Sequence, residues 1–84
     1  MLKPSRKLQE ALERFVTIIE IRYEAIHTGD AEWAISVLQD VRMDREKHSA
    51  HMVIMAELGI SDSQQAAEEA CRLAGKEWLA EYAK

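Results

Sequence analysis

Apolar residues recur every three or four positions along the whole chain, with few residues between them that would break a helix. This spacing places apolar side chains along one side of an α-helix, whereas a half-buried strand would need strict alternation. Only three glycines and one proline occur in 84 residues. Because these two residues are the usual helix breakers, the sequence predicts an all-α protein with long helices.

Two short segments carry the residues that typically end one helix and begin the next. Gly29 suits the left-handed position that follows a helix, and Asp30 is a preferred N-cap residue. Gly59 is a second stop of the same kind, and Ser61 with Gln64 has the spacing of a capping box. The chain is therefore expected to turn at these two places.

These turns predict one helical domain over residues 1–84, with helices at about 5–27, 31–58 and 62–83. Pro4 and Ser5 mark the start of the first helix. Short connections favour antiparallel neighbours. We therefore expect a three-helix, up-down-up antiparallel bundle with a long central helix.

Aromatic residues are expected to gather at one end of this bundle, where the first and third helices end beside the start of the second. We interpret the cluster as core packing, since aromatic residues at helical spacing usually pack in the interior. Its members are the aromatic residues Tyr23, Trp33, Trp78 and Tyr82, together with Ile26.

Polar residues interrupt the apolar stripe of the central helix, which begins with Ala34, Val37, Leu38 and Val41. The positions that continue the stripe after Val41 hold Asp44, His48 and His51. Burying such groups without partners would cost several kcal/mol. A first interpretation is structural: Asp44 accepts a hydrogen bond from His48, and Arg14 or Lys76 completes the pair. A second interpretation is that the polar groups select helix register or oligomeric state.

A third interpretation is a metal site. Asp44, His48 and His51 could share one ion, with Cys71 as a fourth ligand, and this ligand set is acceptable for zinc or another divalent transition metal. The spacing is unspecific, so the leading expectation is that the protein has no cofactor. Cys71 is the only cysteine, which excludes an internal disulfide and fits a reducing compartment.

The central helix also carries more apolar residues than a three-helix monomer could cover. Large exposed apolar surfaces usually mark interfaces, and methionine suits adaptable contacts. We therefore expect self-association into a homodimer or larger assembly, mainly through the first two helices. The predicted interface residues are Ile18, Ile21, Met43, Met52, Val53, Ile54, Met55 and Leu58.

Charge and composition limit the remaining classes of function. The net charge is −4 and no basic stripe is present, which argues against nucleic-acid binding. The basic start of the chain is followed by no apolar run, and the longest apolar run covers only residues 52–56, so we expect a cytoplasmic protein without a membrane span.

No catalytic motif stands out, which favours a protein that is not an enzyme. The leading hypothesis is a helical protein–protein interaction module, such as an adaptor, regulator or inhibitor, whose acidic surface suits a basic partner.

Overall fold

In a computed structural model, which describes residues 5–82, all of the regular secondary structure is helical. The elements are α1 (Arg6–His27), α2 (Ala31–Leu38), α3 (Val41–Leu58), α4 (Ser63–Leu73) and a short 3₁₀ helix (Glu77–Leu79). The prediction of an all-α protein is confirmed. Pro4 and the predicted helix end at residue 83 lie outside the described residues.

Each of the four α-helices begins at a residue whose side-chain oxygen accepts a backbone N–H group of the first turn. Such caps satisfy N–H groups that have no partner within the helix. The N-cap residues are Ser5, Asp30, Asp40 and Asp62. The first two positions agree with the sequence prediction. The predicted capping box at Ser61 is wrong by one residue, because Asp62 accepts from the backbone of Gln64 and Gln65 instead.

The predicted helix over residues 31–58 is wrong, because the chain leaves the helical path between α2 and α3. The backbone N–H of Gln39 closes α2 on the carbonyl of Ile35 at 3.0 Å. Asp40 has an extended backbone, and its side chain accepts from the N–H of Met43 at 3.0 Å to start α3. The new helix starts along its own axis, so Leu38 and Val41 are exposed rather than part of a continuous core stripe.

The predicted helix over residues 62–83 ends early, at Leu73. Gly75 adopts a positive φ of 74° just beyond the end. Its N–H donates to the Arg72 carbonyl at 3.1 Å, and the Lys76 N–H donates to the Cys71 carbonyl at 2.9 Å. This pair of bonds is a Schellman motif, which ends α4 and turns the chain into the 3₁₀ helix.

The helices α1 and α3 run antiparallel and are joined near both ends. Ser5 Oγ donates to Glu57 at 2.7 Å at one end, and Arg22 pairs with Asp44 near the other. The helix α4 packs against both, whereas α2 packs mainly against α1. An ion pair between Lys76 and Glu20 ties the segment after α4 to α1.

The core lies between α1, α3 and α4. Small residues face it from α4, which lets that helix approach its neighbours closely, while α1 supplies most of the large side chains. The buried core residues are Leu8, Ala11, Leu12, Phe15, Val16, Ile19, Ala50, Ile54, Ala66, Ala67, Ala70, Cys71 and Leu79. Among residues 5–82 the buried side chains are all apolar.

The molecule is longer than it is wide, with principal extents of 43 × 24 × 21 Å. Across residues 5–82, none of the helices combines the length and the apolar character needed to cross a bilayer.

Candidate functional site

The outward side of α2 is an apolar surface that the rest of the chain leaves uncovered. Ala31, Ile35 and Leu38 stand at positions i, i+4 and i+7, which share one side of a helix. Ile35 is 55% exposed and Leu38 is 46% exposed, whereas Val37, on the opposite side, is buried. We call Ala31, Ile35 and Leu38 the α2 face.

Few charges accompany this surface. Glu32 is the only ionisable residue of α2, and it lies in the first turn, where the helix dipole favours a negative charge. Val41, at the start of α3, is also exposed. Covering the α2 face would therefore remove apolar surface from water without burying a charged side chain of α2.

A long groove follows the seam between α1 and α3. Its wider part has a volume of about 540 Å³, and a narrower part of about 210 Å³ continues it, with Glu10 and Arg14 lining both. On α1, Arg14 and Ile21 lie about half a turn around the helix from Leu12 and Val16, which face α4 across a separate hollow. The groove is therefore on the side of the α1–α3 pair that α4 does not cover.

The groove has an apolar floor and charged walls. Ile18, Ile21 and Met43 line the wider part, and Ala11, Ala50 and Val53 line the narrower part. Four carboxylates and two guanidinium groups surround the wider part. These are Glu10, Glu13, Asp40, Glu46, Arg14 and Arg42.

The residues predicted as an interface are divided between the core, the groove and open surface. Ile18 and Ile54 are buried, and Met52 is exposed. Four of the predicted residues line the groove: Ile18, Ile21, Met43 and Val53. Met55 and Leu58 are half-buried and pack against the core. Ile54 is thus not available to a partner, although the sequence singled it out for one.

Sequence reasoning missed the α2 face, because it assigned Ala34, Val37, Leu38 and Val41 to the stripe of one continuous helix. Of these, Val37 alone is buried. A usable signal was present: the segment 31–38 carries one charge and stands between the N-cap residues Asp30 and Asp40.

The four residues predicted as metal ligands do not come together. Cys71 is fully buried, whereas His48 is exposed. The His51 ring contacts other residues: its Nε2 is 2.8 Å from the Ser63 carbonyl oxygen, and its ring centroid lies 4.9 Å from that of Phe15. Within the described part of the chain, no group of three or more His, Cys, Asp or Glu side chains is placed to hold a metal ion. Zinc binding by Asp44, His48 and His51 stays a prediction.

Asp44 pairs with Arg22, and not with Arg14 or Lys76 as the sequence suggested. The hydrogen bond and the positive charge of Arg22 hold the pKa of Asp44 below its ordinary value of 3.8. The Arg22 side chain is only 13% exposed, without being fully buried, and its Nε finds no hydrogen-bond partner among residues 5–82. This pair fixes the start of α3 against α1.

The Arg22–Asp44 pair predicts a loss of stability in acid. Because the pKa of Asp44 is lower in the folded chain than in the unfolded chain, its stabilisation is present above the unfolded pKa and is lost as pH falls through the folded pKa. We expect the urea midpoint of the wild type to fall between neutral pH and about pH 2, with a smaller fall for Asp44→Asn. The matched control is Glu46→Gln, which removes an exposed carboxylate of the same helix. An acid loss of equal size in wild type and Asp44→Asn would contradict the assignment.

Cys71 is chemically protected. Burial raises the pKa of its thiol, which disfavours the reactive thiolate. The side chain lies beside Ala67 and Ala70 on the small-residue side of α4, so its role is packing.

The predicted aromatic cluster forms in part. Tyr23 contacts Trp78 and Tyr82 edge to face, with ring centroids 5.1 and 5.6 Å apart, and stacks on His27 at 4.1 Å. Burial raises the pKa of Tyr82. Ile26, Trp33 and Trp78 are all exposed, and Trp78 is the most exposed of the three at 53%, so the prediction that they pack in the core is wrong. These ring contacts hold Trp78 and Tyr82, in the segment after α4, against α1.

Comparison of the chain with protein-family models, with curated proteins and with solved structures gave no match.

Proposed function

We propose that this chain is a small protein–protein interaction module that acts by binding rather than catalysis, as a homodimer joined through the α2 face. The observation that carries the proposal is the exposed apolar stripe of Ile35 and Leu38 on a helix with one charged residue. A stripe at positions i, i+4 and i+7 is the typical anchor of one helix against another.

The total surface supports a second copy as the occupant. The chain exposes 5852 Å² for a mass of 9.6 kDa. A monomeric protein of this mass exposes about 5,100 Å². The difference of about 750 Å² is close to the ~800 Å² that each partner buries in an interface of standard size. A dimer would bring the exposed surface of each chain to the value that is usual for a stable protein.

The shape of the surface also suits a symmetric contact. In a two-fold dimer each chain presents the same patch, so the patch must be compatible with itself. Apolar side chains meet this condition, because they carry no charge that would repel the same patch on the second chain. The α2 face would pack against the α2 face of the second chain, and the core of the small domain would be completed by self-association.

The test is the mass of the full chain in solution. We expect sedimentation or light scattering to give twice the 9.6 kDa of one chain. Ile35→Glu adds a carboxylate to the centre of the α2 face and is expected to give a folded monomer. Ser36→Glu adds the same charge to the next position, on another side of α2, and is expected to remain a dimer.

Two results would overturn this proposal. One is a wild-type chain that stays monomeric at the highest concentration that can be reached. The other is an Ile35→Glu variant with unchanged mass, which would place the contact elsewhere. Circular dichroism of both variants separates loss of assembly from loss of folding.

A further inference from the structure

We propose that the groove between α1 and α3 binds an amphipathic helix of a partner protein, with basic side chains flanking its apolar stripe. This inference rests on the proposed interaction role and names the chemistry of the partner, while it uses a surface other than the α2 face. The bound helix would lie opposite α4, so that α1 and α3 would be packed on both sides.

The floor of the groove suits a helix. Ala11 and Ala50 are small and buried in its narrower part, so a partner helix could approach the seam closely there. Ile21, Met43 and Val53 are half-buried and would bury their remaining surface against the partner. An apolar floor with exposed edges is the feature that helix-in-groove recognition requires.

The length of the groove agrees with the length of a short helix. Its lining residues on α1 extend from Lys7 to Ile21. At ~1.5 Å per residue, that stretch is about 21 Å long, or four helical turns. A partner segment of about 14 residues would therefore fill the groove from end to end.

The walls determine the charge of the partner. In the wider part the four carboxylates outnumber the guanidinium groups of Arg14 and Arg42, and Glu13 on α1 and Glu46 on α3 form no ion pair with any residue in the range 5–82. The narrower part has no such excess, because Lys7, Glu10 and Arg14 line it. Lysine or arginine on both flanks of the apolar stripe would meet these two carboxylates. Complementary charges across an interface increase the association rate and exclude partners of the wrong sign.

A second copy of the chain is a poorer occupant on electrostatic grounds. Each copy has a net charge of −4, and its most apolar helix, α2, carries no basic residue to place in the wider part, where carboxylates are in excess. A basic partner gains from the same charges that would oppose a second copy. The groove therefore points to a partner of different sequence.

The experiment is a titration of the full chain with a designed helical peptide. The probe has 16 residues, with leucine and isoleucine on one stripe and lysine on both flanks. One control peptide has the same composition in scrambled order, and another has glutamate in place of lysine. Binding is followed by calorimetry and by amide chemical shifts.

We expect binding of the amphipathic lysine peptide, with shift changes concentrated at Ile21, Met43 and Val53. Glu13→Lys combined with Glu46→Lys should weaken it at least tenfold. Glu68→Lys combined with Glu77→Lys makes the same change in net charge away from the groove and should alter binding less than twofold. All four positions are surface residues outside the buried core.

Several outcomes would overturn the inference. They are no binding of the lysine peptide, equal binding of the scrambled peptide, shift changes on the α2 face, or equal weakening by the two charge variants. Shift changes in the groove on concentrating the chain alone would assign it to a second copy instead. The titration is repeated on Ile35→Glu, so that the two proposals are tested separately. If only the dimer proposal is wrong, the masses differ from those expected while the peptide still binds. If only the groove proposal is wrong, the masses are as expected while the peptide does not bind.

Discussion

Replacement of Ile54 by glutamate is expected to unfold the chain. Ile54 is 0% exposed, near the C-terminal end of α3, and belongs to the core between α1, α3 and α4. The substitution removes about 2 kcal/mol of apolar burial and places a charge where no partner is available, at a further cost of several kcal/mol. Together these approach the total stability of a small domain, about 5–15 kcal/mol. Far-UV circular dichroism and urea unfolding measure the effect.

Met52→Glu is the matched control for this prediction. Met52 is on the same helix two residues away and is 52% exposed, so the same new charge would remain in water. We expect this variant to fold with a change in stability below about 1 kcal/mol. Ile54→Ala gives a graded measurement, with an expected loss of about 2–5 kcal/mol. A stable, folded Ile54→Glu would show that α3 does not face the core through this residue.

Leu79→Ala is expected to destabilise the chain by about 2–5 kcal/mol, although the residue belongs to a three-residue 3₁₀ helix near the end of the chain. Leu79 is 0% exposed and packs in the same core as Ile54. Leu73→Ala makes the identical chemical change at a side chain that is 47% exposed, and should cost less than about 1 kcal/mol. Chemical unfolding of both variants gives the comparison, and equal losses would contradict the placement of Leu79.

The helix ends that local chemistry determines could be predicted from the sequence. Ser5 and Asp30 cap the helices where expected, and Gly29 has the predicted positive φ of 81°. These signals involve residues within one turn of each other, so no knowledge of tertiary packing is needed to recognise them.

The break at Asp40 was missed because two signals disagreed. Val37, Leu38 and Val41 continue the three-and-four spacing across it, and this periodicity outweighed the N-cap preference of aspartate. The structure follows the cap. Gly75 was overlooked for a similar reason, since Trp78 and Tyr82 continue the helical spacing beyond it.

The ion pairs and the metal hypothesis depended on the register between helices, which the sequence does not specify. With the central helix assumed continuous, Asp44 was placed beside Arg14 or Lys76, whereas it pairs with Arg22. Lys76 pairs with Glu20 instead. The groove needed the same information: Ile18, Ile21, Met43 and Val53 were singled out as surplus apolar residues, but their common location depends on how α1 and α3 face each other.

The separation of the α2 face from the groove has a consequence for how tightly such a protein could hold its targets. Two chains linked at α2 would each keep their groove unoccupied, so the pair would be bivalent. Once one target helix had docked, a second helix on the same target or filament would be held at a high effective concentration. Avidity would then let two weak contacts act as one strong contact. This gain would be lost when dilution dissociates the dimer into monomers.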